Sequence, residues 1–503
     1  MKFKKQYILL LGALSLMACN DDKFTDVIPF PEQSGSSEQP EPPAQSSRDE
    51  LYRPQVHYTP SSNWINDPNG LVYENGTWHM YYQYNPSGND WGNMSWGHAT
   101  STDLIHWQEQ NVAMVRNSLG DIFSGSAVID KNNDAGFGAN TLLAFYTSSG
   151  DHQQQSLAYS TDHGMTFTQF EGNPVIPNTE LGDFRDPKVV WHEESGKWIM
   201  CLALGWDCGI DFWGSTNLKS WTKLSTFRSK SARSNIGQWE CPDLLRMPYN
   251  GGEKWVLIVS NNPGGPVGGS GTEYFVGDFN GTEFIADDLD YPLWLDYGSD
   301  NYAGVTWSNT PDNRKIMIGW MNNWNYCGNV PCSPWRSAMT LPRELSLVEV
   351  NGSPLLSTKV VKEIDNIAGE WQPATDGVCS AGDAYEMKVI LDPAQAQSFS
   401  VGNGVGEYLG IEVNPTAGKI IAKRTSTTGV TGFNGLFSIP SLAAPYNVNA
   451  ESLTLHIYVD DSSVEIISED GTTALTCLVY PSVPYDRISG IDNMSYRPLK
   501  SIW

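Results

Sequence analysis

Five short motifs recur along the first two thirds of the chain at nearly constant intervals, and this ruler limits the fold more than any other feature. The motif residues are Asp67 in Trp64-Ile65-Asn66-Asp67-Pro68-Asn69-Gly70, Ser124 in Phe123-Ser124-Gly125-Ser126, and Asp186 in Phe184-Arg185-Asp186-Pro187. Glu240 follows in Trp239-Glu240-Cys241-Pro242-Asp243 and Tyr302 in Asp300-Asn301-Tyr302-Ala303, giving separations of 57, 62, 54 and 62 residues. A second series keeps the same scale. Ser101-Thr102-Asp103-Leu104-Ile105-His106-Trp107, Ser160-Thr161-Asp162-His163-Gly164-Met165-Thr166-Phe167 and Ser215-Thr216-Asn217-Leu218-Lys219-Ser220-Trp221 are one turn-and-strand unit, 59 and 55 residues apart. A looser fourth copy occupies residues 277–284. Repeats of this length hold about four strands, the size of a β-propeller blade, and stacked blades bury faces that no single unit could bury. The ruler predicts five blades, each motif opening an innermost strand so that all five meet at the axis.

The local pattern agrees. From Leu51 to about Val350 the chain is a series of β-branched and aromatic runs, such as Trp78-His79-Met80-Tyr81-Tyr82, Leu142-Leu143-Ala144-Phe145-Tyr146 and Trp255-Val256-Leu257-Ile258-Val259. Gly, Asn, Asp and Ser bound them, and no long stretch has helical periodicity. From Tyr385 to Tyr480 apolar and polar residues alternate, as in half-buried antiparallel strands. The expected architecture is all-β: a five-bladed β-propeller over residues 51–347, a break at Asn351-Gly352-Ser353-Pro354, and a C-terminal β-sandwich over 358–503.

The N-terminus indicates a compartment. Lys2, Lys4 and Lys5 precede an apolar run from Tyr7 to Met17 that is short for a bilayer span, and Leu16-Met17-Ala18-Cys19 follows. This reads as a signal peptide over residues 1–18. The last four residues resemble a bacterial lipobox, which makes Cys19 the expected lipidation site and places the protein on the outer membrane, facing the exterior. Asn20-Asp21-Asp22 resembles a surface-export signal, and residues 19–50, rich in Pro, Ser, Gln and Glu, read as a disordered tether.

Composition narrows the partners. A net charge of −26 over 503 residues argues against nucleic acid and anionic lipid surfaces. Nineteen Trp and 22 Tyr suit packed blades, with some left to stack on sugar faces. Apart from Cys19 there are seven cysteines, without zinc-site spacing; Cys327 and Cys332 are near enough in sequence to close a small loop. No metal or cofactor is called for, and a monomer is expected.

Singly, each acid has a structural reading: Asp-Pro-Asn-Gly is turn chemistry, Arg185-Asp186 is a candidate ion pair, and Glu240 adjoins an apolar Trp239. Together at blade spacing, Asp67, Asp186 and Glu240 converge on one pocket. Two carboxylates flanking a scissile bond are what glycoside hydrolysis requires, and a third acid can grip sugar hydroxyls.

These residues resemble glycoside hydrolase family 32, the β-fructofuranosidases that include invertases, inulinases and levanases. The three acid motifs correspond in order to its signature blocks, as do Tyr82-Gln83-Tyr84-Asn85-Pro86, Trp91, Trp96-Gly97-His98-Ala99, Phe123-Ser124-Gly125-Ser126-Ala127 and Gly319-Trp320-Met321. Leu455-His456-Ile457-Tyr458-Val459-Asp460 with Ser462-Ser463-Val464-Glu465 resembles the family's terminal sandwich. The resemblance implies a retaining mechanism with Asp67 as nucleophile, Glu240 as acid/base and Asp186 as transition-state stabiliser, the Asp67 and Glu240 carboxyls lying about 5–5.5 Å apart. It implies that Asn66, Gln83, Ser124 and Arg185 donate to fructosyl hydroxyls while Trp64, Trp91, Phe123 and Trp320 wall the pocket. Trp96 suits a packed strand equally well. Asp67 is expected to stay ionised and Glu240 to have a raised pKa.

The implied substrate is a fructan polysaccharide or fructo-oligosaccharide. Levan, inulin and sucrose present the same terminal fructosyl, so the motifs do not separate them. A surface anchor favours a polymer, with levan and endo action as the leading expectation. The intact Asp67 block resembles exo-acting members, so exo action on inulin, levan or sucrose is the alternative. A fructosyltransferase or a non-catalytic fructan-binding lipoprotein are the rivals, and a related arabinose- or xylose-acting propeller would not account for the paired acid blocks.

Overall fold

The computed structural model describes residues 48–503 apart from 181, 375, 376, 380, 381 and 383; the expected signal peptide, Cys19 and the tether as far as residue 47 lie outside the described residues. The packing reaches back past the start expected at residue 51. Arg48 is buried, donating to the Thr59 carbonyl at 2.8 Å and lying 3.5 Å over the Trp503 ring.

Five antiparallel sheets follow, with innermost strands Asn63–Glu74, Asp121–Asp130, Arg185–His192, Gln238–Tyr249 and Tyr302–Thr306. Each innermost strand packs on the next and the fifth packs on the first, so the sheets close into a ring of five blades. Alternation explains why the second strands read as unbroken apolar runs, since neighbouring blades cover both of their faces. In the second blade Leu142, Ala144 and Tyr146 face the first blade's Tyr81 and Trp96, while Leu143 and Phe145 face the third blade's Met200 and Leu202. In the fourth, Leu257 and Val259 pack on Ile199 and Phe212, and Val256 and Ile258 on Met317. Trp96 is fully buried in this scheme, a packed strand residue.

The repeated Ser-Thr-Asp/Asn unit is the turn joining a blade's third and fourth strands. Asp103 Oδ1 accepts from the Ile105 and His106 amides at 3.1 and 2.9 Å, Asp162 Oδ1 from Thr166 at 3.0 Å, and Asn217 Oδ1 from Lys219 and Ser220 at 3.1 and 2.8 Å. Leu104, His163 and Leu218 occupy left-handed backbone at φ 67, 58 and 58 in the three copies. The Asx bonds replace the strand ladder and hold that conformation.

The five ruler residues sit where expected, near the start of the innermost strands, and each lies at a break in register. The breaks fall between Ile65 and Pro68, Ile122 and Gly125, Arg185 and Lys188, Glu240 and Asp243, and Tyr302 and Val305. Such bulges turn side chains away from the alternation of the sheet. Asp186, Cys241 and Ala303 take φ of 62, 45 and 54 there, an uncommon conformation for non-glycine residues that the paired strands on either side maintain.

One boundary differs from expectation. Asn351-Gly352 is a hairpin turn rather than an interdomain break: Arg343–Val350 pairs with Ser353–Val360, and both belong to the fifth blade, which runs past residue 347. A two-residue hairpin and a linker use the same turn residues, so local chemistry does not separate them. The sandwich then forms from a six-stranded and a five-stranded sheet, with Tyr385–Leu391 pairing Leu453–Asp460 as the alternation indicated. Cys327 and Cys332 are both free, so the small loop between them is not closed by a disulfide.

Buried charges bind the sandwich to the blades. His57 lies 2.6 Å from Asp460 and 2.8 Å from Glu465, while Arg343 pairs with Asp296 at 2.8 Å and with Glu465. Burial opposes a charged imidazole, but the bonds and charges of Asp460 and Glu465 outweigh it and raise His57 to about 9. Burial likewise opposes the Glu465 carboxylate, yet Arg343 and His57 bring it down to about 2.

Candidate active site

The bulges gather Asp67, Asp186 and Glu240 at one end of the axis, around the Cys241 backbone. The Cys241 amide donates to Asp186 Oδ2 at 2.9 Å, and its thiol donates to Asp67 Oδ2 at 3.4 Å. The thiol also lies 3.7 Å from Asp186 Oδ2. Burial, then the charges of Asp67, Asp186 and Glu240, push the thiol well above its ordinary pKa and keep it a donor. Cys241 follows Glu240 directly in sequence, but nothing in the sequence marks it as the link between the other two acids.

Asp67 ends two hydrogen-bond relays. Trp64 Nε1 donates to Asn66 Oδ1 at 2.7 Å, and Asn66 Nδ2 donates to Asp67 Oδ1 at 3.0 Å. On the other side Ser124 Oγ donates to Asp67 Oδ2 at 2.6 Å. With the Asn69 amide oriented to satisfy its neighbours, Asn69 donates to Ser124 Oγ at 3.3 Å and accepts from Gln83 Nε2 at 2.9 Å. Gln83 spends its other N–H on the Ile122 carbonyl at 3.0 Å. Asn66 and Ser124, expected to donate to sugar hydroxyls, thus each spend one donor on the Asp67 carboxylate, and Gln83 acts on it only through Asn69 and Ser124.

Burial, reinforced by the charge of Glu240, raises Asp67 above its ordinary value despite the bonds from Ser124, Asn66 and Cys241. Asp186 rises to about 7: burial drives it, Arg185 opposes, and Glu240 and Asp67 add to the rise. Asp67 and Asp186, two buried carboxyls that share the Cys241 backbone and thiol, resist ionising together.

Arg185 grips Glu240 instead of facing open space. Nε and Nη2 donate to Glu240 Oε1 at 3.2 and 2.9 Å, and Nη1 donates to Asp183 Oδ1 at 2.6 Å and Gln153 Oε1 at 3.1 Å. The Tyr302 hydroxyl donates to Glu240 Oε2. Glu240 therefore has an arginine and a phenol as partners.

The aromatic residues divide into two kinds. Trp91 is half exposed, its ring 6.1 Å from that of Phe123, and this pair reaches the surface. Trp64 and Trp320 are fully buried, with ring centroids 6.1 Å apart, so they support the pocket from behind and do not wall it. Trp320 lies in a second strand covered by blades on both sides. Trp324, half-buried and 5.0 Å from Trp320 and 6.0 Å from Trp64, presents this stack outward. Trp324 sits in a long insertion of the fifth blade, off the ruler.

Known proteins share this sequence and fold. Residues 57–358 match the N-terminal domain of glycosyl hydrolases family 32, and residues 355–498 match the family's C-terminal domain. A levanase of Bacillus subtilis is 42% identical over 90% of this chain and 71% of its own length. An extracellular exo-inulinase of Aspergillus niger is 38% identical, over 86% of this chain and 90% of its own. The crystal structure of exo-inulinase from Aspergillus awamori superposes with a TM-score of 0.84 at 34% identity, covering 91% of this chain and 100% of that one. With both of the family's domains matched in sequence along residues 57–498, the chain belongs to glycosyl hydrolase family 32.

Proposed function

We propose that this glycoside hydrolase removes fructosyl units from the ends of fructan chains by a retaining mechanism, with levan as its first substrate. The observation that carries the reading is a gradient of burial. Asp67 and Asp186 are 9% and 4% exposed, whereas the Glu240 side chain is 19% exposed. Two acids withdrawn from solvent and one that reaches it suit a chain end inserted to its terminal sugar. A surface anchor favours internal cleavage of polymer, whereas the burial of Asp67 and Asp186 favours attack from the end. The levanase and exo-inulinase relatives support a fructan as the polymer.

In this reading an Asp67 oxygen attacks the anomeric carbon as the glycosidic bond breaks, and the Glu240 proton passes to the leaving oxygen. Asp186 accepts from fructosyl hydroxyls, its hold strengthening as positive charge develops on the ring. Water then attacks the covalent fructosyl intermediate, gives its proton to Glu240 and restores Asp67. The bonds from Ser124, Asn66 and Cys241 position Asp67 for this attack.

Product profiling over time on levan, inulin and sucrose tests the proposal. Fructose as the sole early product from levan supports it. An early ladder of oligosaccharides would replace it with internal cleavage. Intact polymers alongside cleaved sucrose would reject a fructan role, and transfer products in place of free fructose would identify a fructosyltransferase.

A further inference from the structure

We infer that Trp206 is a stacking platform for the fructosyl units beyond the scissile bond and sets the preference for polymer over sucrose. The inference rests on the fructan reading above. Trp206 is 62% exposed and lies between the second and third strands of the third blade, Lys197–Ala203 and Ile210–Ser215. Isolated exposed apolar residues need no explanation. Trp206 differs in that its loop is bonded to the segment leading into Glu240, which also carries Ile236, 49% exposed.

Two bonds dock the loop onto the chain that leads into Glu240. The Trp239 amide donates to the Gly205 carbonyl at 3.1 Å, and Cys208 Sγ donates to the Gly237 carbonyl at 3.3 Å. The loop is also braced internally: Leu204 and Gly209 are bonded at 2.9 Å, Asp207 and Leu204 at 3.0 Å, and Cys208 and Gly205 at 3.0 Å. Gly205 has φ +48, and a Cβ there would stand 2.3 Å from Asp183 Cβ, so glycine permits the close approach to the residue that holds Arg185. Trp206 is therefore presented from a fixed backbone one residue from an anchor on the Glu240 strand.

The chemistry determines which sugars pass there. Glu240 protonates the leaving oxygen, so the leaving part of the chain departs on the Glu240 side. Trp91 and Phe123 lie on the other flank, next to Ser124 and Asp67. An exposed indole held rigidly on the departure side offers a flat apolar face to furanose C–H groups at small entropic cost. Sucrose extends only one sugar past the bond, whereas a fructan continues over Trp206.

Trp206→Ala tests this, with Trp206→Phe as the conservative control and melting temperature as the check on folding. The ratio of kcat/KM on long-chain levan to that on sucrose should fall about tenfold in the alanine variant, through KM, equivalent to one step of the affinity scale. The phenylalanine variant should recover most of it. An unchanged ratio in the alanine variant, whether both activities hold or fall together, overturns the inference while leaving the fructan reading intact. A parent enzyme that cleaves sucrose but not levan or inulin overturns both.

Discussion

Arg185 and Glu240, 55 residues apart in sequence, meet through two N–H donors on one carboxylate oxygen, at 3.2 and 2.9 Å. A lysine has no second donor fixed in this geometry and cannot also span Asp183 and Gln153. Arg185→Lys should lower kcat/KM on fructan by about 100-fold, and Glu240→Gln should lower kcat by about 1,000-fold, the range of a lost general acid. Steady-state kinetics check both; turnover of the glutamine variant within tenfold of the parent would remove Glu240 from its role.

Asp186→Asn should stabilise the protein while abolishing its activity. The folded-state pKa of Asp186 is raised to about 7, whereas an unfolded aspartate titrates at about 3.9. The sign follows from linkage. Below the unfolded value both states are protonated and there is no difference. As pH rises through the window the unfolded state ionises first, and stability falls until the folded pKa is passed. The variant's gain in melting temperature should be small at pH 4 and largest above pH 7. An equal gain at both values would refute the assignment.

The His57 clamp should have its own alkaline limit. Its folded-state pKa is raised from 6.5 to about 9, so its contribution is complete below pH 6.5 and is lost as pH rises through 9. His57→Gln should cost about 3 kcal/mol at pH 6, because Asp460 and Glu465 lose a buried cation. Denaturant titrations at pH 6 and pH 9.5 should show the gap between parent and variant narrowing. Parallel curves would rule out an imidazolium at this position.

We further propose that Cys19 carries a lipid and holds the enzyme on the outer membrane. Cys19→Ser should move the protein from the membrane fraction to the soluble fraction with kcat unchanged. Membrane retention of the variant would refute it.

The ruler was legible because each motif joins turn residues to a chemically distinct side chain at one fixed height in its blade. Asp67, Ser124, Asp186, Glu240 and Tyr302 all open innermost strands as their spacing indicated. What could not be read were contacts between blades. The Arg185 grip on Glu240, the Gln83–Asn69–Ser124 relay and the burial of Trp320 depend on which blades adjoin and how deep a strand lies. The rise in the Asp67 pKa was hidden for the same reason. The closed ring withdraws this carboxylate from water, which the Asp-Pro-Asn-Gly turn alone does not reveal.

The register breaks at the head of the innermost strands separate two inheritances. Downstream of each, alternation continues to serve the packing between blades, and upstream one or two residues answer only to the axis. A substitution among those few positions can alter one wall of the pocket without disturbing the sheet that carries it. A single-residue deletion at a bulge would instead turn its side chain from the axis to a sheet face, removing one function and leaving the blade able to stack. Chemistry and scaffold in this molecule are therefore free to change at different rates.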